Sequence, residues 1–249
     1  MSEITGLYAL WLREFIVFRR EHSRIASAIF LPLLWLGIFG TGLGTKVNIE
    51  GMDYRTFIFP GILCMAVLFT SLFFGVYIVW DRKIDFLKEV MVAPLSRTTI
   101  FMGKVLGGIT DSLLESIIII AFGFIIGISY SLYSLLMTFA FILFLAIGMV
   151  SLGLIIGSLM ESPEGFGMVV SFVAFPMFFL SGALFDVDGL PTWLSVLVLI
   201  DPITYAVDGL RGTLLGTSRF SIAIDLLILS AFALIMVIIG TQFFKRMKV

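Results

Sequence analysis

Leu190-Pro191-Thr192-Trp193-Leu194-Ser195-Val196-Leu197-Val198-Leu199-Ile200, closed by Asp201-Pro202, is the stretch on which the architecture turns. Counted as a membrane crossing, it gives the chain seven crossings; left out, it gives six and brings both ends to one side. An α-helix rises about 1.5 Å per residue and the hydrocarbon core is about 30 Å thick, so a crossing needs about 20 apolar residues. This run is too short. It reads instead as a re-entrant or interfacial helix after the turn Asp186-Val187-Asp188-Gly189, with Pro191 in its first turn, where a missing N–H does no harm.

Outward from it, six runs are long enough: 25–44, 57–80, 105–128, 132–159, 166–185 and 222–244. Four of them (25–44, 57–80, 132–159 and 166–185) contain no charged residue. Unpaired backbone groups in lipid cost several kcal/mol each, so these runs are expected to be helices. The composition agrees: 60% of the 249 residues are hydrophobic and only 13% charged, about half the usual charged fraction of a soluble domain. A net charge of −1 gives no electrostatic case for nucleic acid. One cysteine (Cys64) and one histidine (His22) exclude an internal disulfide and argue against a Cys/His metal site.

Charge decides the six-span count. With six spans, Arg13, Arg19, Arg20, Arg24, Arg82, Lys83, Lys88, Arg97, Lys104, Lys245, Arg246 and Lys248 fall on one side, and Lys46, Arg55, Arg211 and Arg219 on the other. Such a bias puts the basic side, and with it both termini, in the cytoplasm. A seventh span would send the basic tail outside. Ahead of the first span, Leu7, Trp11, Phe15 and Phe18 share a helical face, with Arg13, Arg20 and Glu21 mainly elsewhere. This predicts an amphipathic interfacial helix within residues 1–24, on the inner leaflet, with Trp11 as anchor. A helix packed on protein is the alternative.

Few residues carry chemistry. Asp111 and Glu115 stand four apart on one face of the third span, and Asp225 opens the sixth. Asp111 and Glu115 are candidates to line a substrate path, or simply acids bonding neighbouring helices. Apart from the Asp111/Glu115 pair, no Asp, Glu, Lys, Arg or His stands near the middle of any span, which argues against a proton-coupled pump. Gly123/Gly127 and Gly153/Gly157 have the spacing of close helix packing. The segment 81–104 is too charged to cross. Within it Ile84, Leu87 and Met91 form a stripe, which suits a short amphipathic helix broken at Pro94. On patterning alone it is either a solvated connector or a docking site. No phosphate-binding loop is present: Gly103-Lys104 is followed by Val105, and no glycine stands five residues before Gly103.

Three blocks carry a likeness: Asp81-Arg82 with Phe86-Leu87-Lys88-Glu89 and Ala93-Pro94-Leu95-Ser96-Arg97; Phe175-Pro176, Phe179 to Phe185 and Leu190 to Leu194; and Asp201-Pro202-Ile203-Thr204-Tyr205-Ala206-Val207-Asp208-Gly209-Leu210-Arg211. Together, and with the early Gly40-Thr41-Gly42-Leu43-Gly44, the chain resembles type-2 ATP-binding-cassette (ABC) exporter permeases. The likeness is nearest to the daunorubicin and multidrug-resistance branch, which includes nodulation-factor exporters. The family usually has Asn where Asp201 stands.

The resemblance implies a single all-α integral membrane domain over residues 1–249. Its parts would be a connecting helix (1–24), six transmembrane helices, a coupling loop (81–104), and an extracellular re-entrant hairpin between the fifth and sixth (186–221) that includes Pro191, Trp193, Asp201, Pro202, Tyr205, Asp208 and Arg211. It implies a non-catalytic permease without cofactor of its own, in a prokaryotic inner membrane. Its partners would be a second permease copy, as a homodimer, and two ABC ATPase subunits that hold the ATP and Mg. Asp81, Arg82, Asp85, Phe86, Leu87, Lys88, Glu89, Pro94 and Arg97 would couple to the ATPase, with Glu161, Pro163 and Glu164 as a second cytoplasmic contact. Export by alternating access of an amphipathic or lipid-like cargo (a drug, glycolipid or polymer precursor) would follow; the 26 phenylalanines favour such cargo over sugars or ions. A channel or secondary transporter is the competing reading; it would need central polar groups or an inverted repeat, and the sequence has neither.

Overall fold

A computed structural model describes residues 2–42, 44, 48–49, 52–187 and 189–247. Lys46 and Lys248 of the charge count, Asp188 of the turn and Leu43 of the early glycine-rich stretch lie outside the described residues.

The order is α1 (Glu3–Arg20), α2 (His22–Gly42), a two-stranded hairpin of β1 (Asn48–Ile49) and β2 (Met52–Asp53), α3 (Tyr54–Phe73), α4 (Val76–Lys83), α5 (Phe86–Val92), α6 (Arg97–Ile125), α7 (Leu132–Leu159), α8 (Pro163–Leu180), α9 (Thr192–Ile200), α10 (Pro202–Leu215) and α11 (Ile222–Arg246). Among the described residues, six segments are long and apolar enough to cross a bilayer: α2, the joined α3–α4, α6, α7, α8 and α11. The chain is thus an all-α integral membrane protein.

Local chemistry sets the helix ends, and it does not follow the hydropathy. α6 begins at Arg97, eight residues before its apolar run, because the Ser96 hydroxyl accepts from the amide of Thr99 and starts the helix there. Ser131 and Ser134 cap α7 reciprocally, and Ser162 caps α8 with Pro163 at the first position. α8 stops at Leu180 rather than Phe185, followed by Gly182 at φ +72°.

The core runs along α3 and α7. Every residue from Phe57 to Leu68 is buried, so α3 is apolar all round and wrapped by protein. α7 meets α3 and α4 backbone to backbone: a Cβ on Gly153 would overlap Leu72, one on Gly75 would overlap Gly153, and one on Gly157 would overlap Gly75. The Gly153/Gly157 pair therefore does what its spacing predicts. Gly123/Gly127 does not: α6 has ended by Gly127, which sits at φ +92° beyond its C-terminus. At the periphery, α2, α8 and α11 leave apolar side chains such as Phe30, Ile38, Met168, Phe172, Ile235 and Ile238 exposed.

The two ends differ. At one gather α1, the segment 81–97, the α7–α8 turn and the end of α11, tied by contacts described below; this is the basic end. At the other stand the β-hairpin, the α6–α7 turn and the α9–α10 pair. α9 and α10 meet at 83° at Asp201. The pair lies in the chain between α8 and α11.

Candidate functional site

The segment 81–97 is a short helix held from below. Asp85 stands at φ +58°, a left-handed turn that aspartate tolerates better than most residues, and it starts α5. α5 ends at Val92, and Ala93 is extended as the residue before a proline must be. Leu87 is fully buried and anchors the helix. Ile84 is not part of the predicted stripe: it lies outside α5, and with Val92 it is exposed (64% and 86%). Lys88 pairs with Asp85 at 2.7 Å on the surface. Glu89 and Pro94 are exposed, and Glu89 has no ion pair among the described residues. The loop thus presents Ile84, Lys88, Glu89, Val92 and Pro94 outward.

Beneath it lies a four-charge network. Lys104 of α6 is 1% exposed, and its Nζ sits 2.5 Å from Asp81 Oδ2 and 3.0 Å from Glu14 Oε1. Arg13 donates to both carboxyl oxygens of Asp81 (2.6 and 3.2 Å) and to Glu14 Oε1 (2.7 Å). Its guanidinium also lies 4.1 Å from the centre of the Phe86 ring. Two cations therefore meet two anions, each 2% exposed, and the set is neutral as a whole. Burial works against the charge on Arg13, but the bond to Asp81 and the nearby Glu14 outweigh it and raise its pKa. Asp81, predicted to meet a partner, is therefore enclosed and faces α1 and α6.

The two arginines of the loop also face inward. Arg82 donates to the carbonyls of Ser158 (2.9 Å) and Met160 (3.0 Å), and contacts Met247 Sδ at 3.5 Å. Arg97 donates to the carbonyls of Phe244 (3.3 Å), Lys245 (3.5 Å) and Met247. Each covers the unpaired carbonyls at a helix C-terminus, of α7 and of α11, where cations are favoured. Arg82 therefore ties the loop to the α7–α8 turn, on which Glu161 and Glu164 are exposed and Pro163 opens α8.

α1 packs along α6 rather than apart from it. Its fully buried residues are Gly6, Leu10 and Glu14; Leu10 and Glu14 lie against Gly103 and Gly107, where a Cβ would intrude. Trp11 Nε1 donates to Thr110 at 2.9 Å, and Glu3 caps the start of α6 through Ser96 and Thr99. The predicted stripe Leu7, Trp11, Phe15 and Phe18 is half-buried beside that face.

Asp111 and Glu115 are both buried. Asp111 Oδ2 lies 3.2 Å from Arg24 Nη2, Arg24 donates to the Tyr77 hydroxyl at 2.5 Å, Tyr77 donates to Glu21, and Thr70 donates to Glu115. At the opposite end, Asp201 caps α10 through the amide of Ile203 at 2.9 Å, with Pro202 at the first position. Tyr205 donates to the Leu199 carbonyl at 2.7 Å, and Asp208 accepts from the amides of Arg219 and Phe220. Arg211 donates to the Gly182 carbonyl at 3.0 Å and lies 4.0 Å from the centre of the Phe57 ring. Pro191 and Trp193, at the start of α9, are exposed.

Sequence reading missed Arg13, Glu14 and Lys104 as a site, together with Glu21, Arg24, Thr70 and Tyr77. One signal was available: Lys104 is a lone cation between Ile100-Phe101-Met102 and the apolar run that starts at Val105.

The family described as ABC-2 type transporter matches residues 5–215. The ycf38 chain of Cyanophora paradoxa, whose name describes a transport permease, is 31% identical over 215 residues, covering 84% of this chain and 73% of that one. Nodulation protein J of Rhizobium leguminosarum bv. viciae is 24% identical over 242 residues, covering 96% and 93%. The inner membrane transport permease YadH of Escherichia coli K12 is 26% identical over 219 residues, covering 85% and 83%.

Proposed function

The chain belongs to the ABC-2 type transporter family, as a transport permease, and we propose that it forms the membrane half of an ATP-driven exporter for amphipathic or lipid-like cargo. Two copies would meet as a homodimer, each carrying one ABC ATPase subunit on its basic end. The excess of Lys and Arg at that end supports placing it, with both termini, on the cytoplasmic side, and the membrane would be a prokaryotic inner membrane. The α9–α10 pair is then a re-entrant hairpin on the outer side, and α1 lies at the inner boundary of the bilayer.

The observation that carries the reading is the build of the segment 81–97. Its outward face is free and mixed in character, while its inward face is bound to α1, α6, α7 and α11 at once. A solvated connector needs no such anchorage. A part that must pass force from a moving ATPase to four helices does. The asymmetry also divides the predicted coupling residues: Lys88, Glu89 and Pro94 would touch the ATPase, whereas Asp81, Arg82, Phe86, Leu87 and Arg97 would carry its motion inward. ATP binding would close the ATPase pair and tilt the helices, opening a path between the two permeases outward; hydrolysis would reset it. This chain would do no chemistry itself.

The test is purification of the tagged chain from its native membrane under mild crosslinking, with mass spectrometry of what accompanies it. A stoichiometric chain with a phosphate-binding loop, lost on Glu89→Lys, supports the reading. A preparation that stays free of any ATPase refutes it.

A further inference from the structure

A groove of about 500 Å³ lies at the basic end between α7 and α11. Leu159, Ile239 and Phe243 form its apolar floor, and Ser158, Gln242 and Arg246 form its polar rim. The floor continues the exposed apolar face of α11, which includes Leu234, Ile235 and Ile238. The rim stands where that face ends in Lys245 and Arg246, both exposed.

Two helix C-termini border the groove, and bare ones would repel an anion. Here Arg82 and Arg97 cover their carbonyls. Among the described residues lining the groove there is a cation and no carboxylate. The result is an apolar slot open to the acyl region, closed at headgroup level by donors and positive charge. We propose that this groove binds an anionic phospholipid of the cytoplasmic leaflet, with its phosphate on Arg246 and Gln242 and its upper acyl chain along Leu159, Ile239 and Phe243. The site goes beyond the ATPase-driven function and does not depend on it. It touches the coupling loop nonetheless: Ser158 and Met247, on its wall, are the residues that Arg82 and Arg97 hold. A bound lipid would brace the seat of both arginines.

The experiment is native mass spectrometry of the delipidated full chain, titrated with phosphatidylglycerol or phosphatidylcholine in detergent. Wild type is expected to hold one phosphatidylglycerol per chain in preference to phosphatidylcholine. Arg246→Gln should weaken phosphatidylglycerol about fivefold, the factor that one basic residue near a membrane surface contributes. Ile239→Trp, which fills the floor, should weaken both lipids, and Arg19→Gln on α1 should change neither. Arg246 is exposed, so its variant tests the site even if the tryptophan variant misfolds. Equal affinity for the two lipids in wild type, or unchanged phosphatidylglycerol binding in Arg246→Gln, overturns the proposal. So does displacement of the lipid by soluble glycerol phosphate at equal concentration, which would make the site one for a free anion.

Discussion

Replacing Lys104 with methionine isolates the energy of the buried network. The side chain has a similar length, so packing against α1 changes little, and the charge alone disappears. What remains is Arg13 facing Glu14 and Asp81, one negative charge in excess in a site where both acids are 2% exposed. Glu14 Oε2 already lacks a hydrogen-bond partner among the described residues, so nothing nearby can take up the loss. Removing one member of a buried pair costs about 3–5 kcal/mol, mostly from the charge left stranded. Removing Glu14 as well, in Glu14→Leu/Lys104→Met, restores neutrality and leaves the two-point Arg13–Asp81 pair standing. The double variant should therefore be about 1–3 kcal/mol more stable than the sum of the two single losses. Unfolding in mixed micelles, followed by tryptophan fluorescence, gives all three values; Trp11 reports on α1 directly. Additive losses, or a Lys104→Met loss under about 1 kcal/mol, would refute the argument that these four charges act as one unit.

Other substitutions separate docking from anchorage. Glu89→Ala should leave stability unchanged and weaken ATPase binding, whereas Arg97→Ala should cost about 1–3 kcal/mol by uncapping α11; equal stability of the two in the same micelle assay would remove the distinction. Gly153→Ala places a methyl against the Leu72 backbone and should cost about 1–3 kcal/mol through overpacking, read as a lower melting temperature of the purified chain. Glu3 is held below its ordinary pKa by Thr99 and the Ser96 amide, so its contribution is fully present above the unfolded carboxylate range and fades as pH falls through its folded value. Protection of the amides at 96–99, measured against their intrinsic exchange rates at each pH, should accordingly fall in acid, and Glu3→Gln should abolish that pH dependence.

The spans were legible because length and apolarity are properties of the chain itself. Leu132–Leu159 was read to the residue, since serines and a polar turn bracket it. α6 was read short at its start, because hydropathy marks where lipid begins and Ser96 marks where the helix begins. The eleven-residue run at 190–200 was kept out of the count by length, and the fold places it in the bent α9–α10 pair. The inward roles of Arg82 and Arg97 were invisible: the carbonyls they cover lie about 76 to 150 residues away in sequence. For the same reason Asp81 was read as a residue that meets a partner, and Glu14 was not singled out. A buried ion network announces itself only when the helices that bring it together are in place.

The glycine contact between α7 and the α3–α4 joint has a mechanical consequence. α7 is a rod of 28 residues, about 42 Å long. Its pin, around Gly153 and Gly157, lies off centre. From there to Leu159, near the carbonyls that Arg82 holds, is about 6 Å; to Leu132 at the far end is about 35 Å. A rod so mounted is a lever with a mechanical advantage near one-sixth. If α7 pivots there as the proposed function requires, a displacement of about 1 Å at the loop would become about 6 Å at the opposite face, with the force reduced in the same ratio.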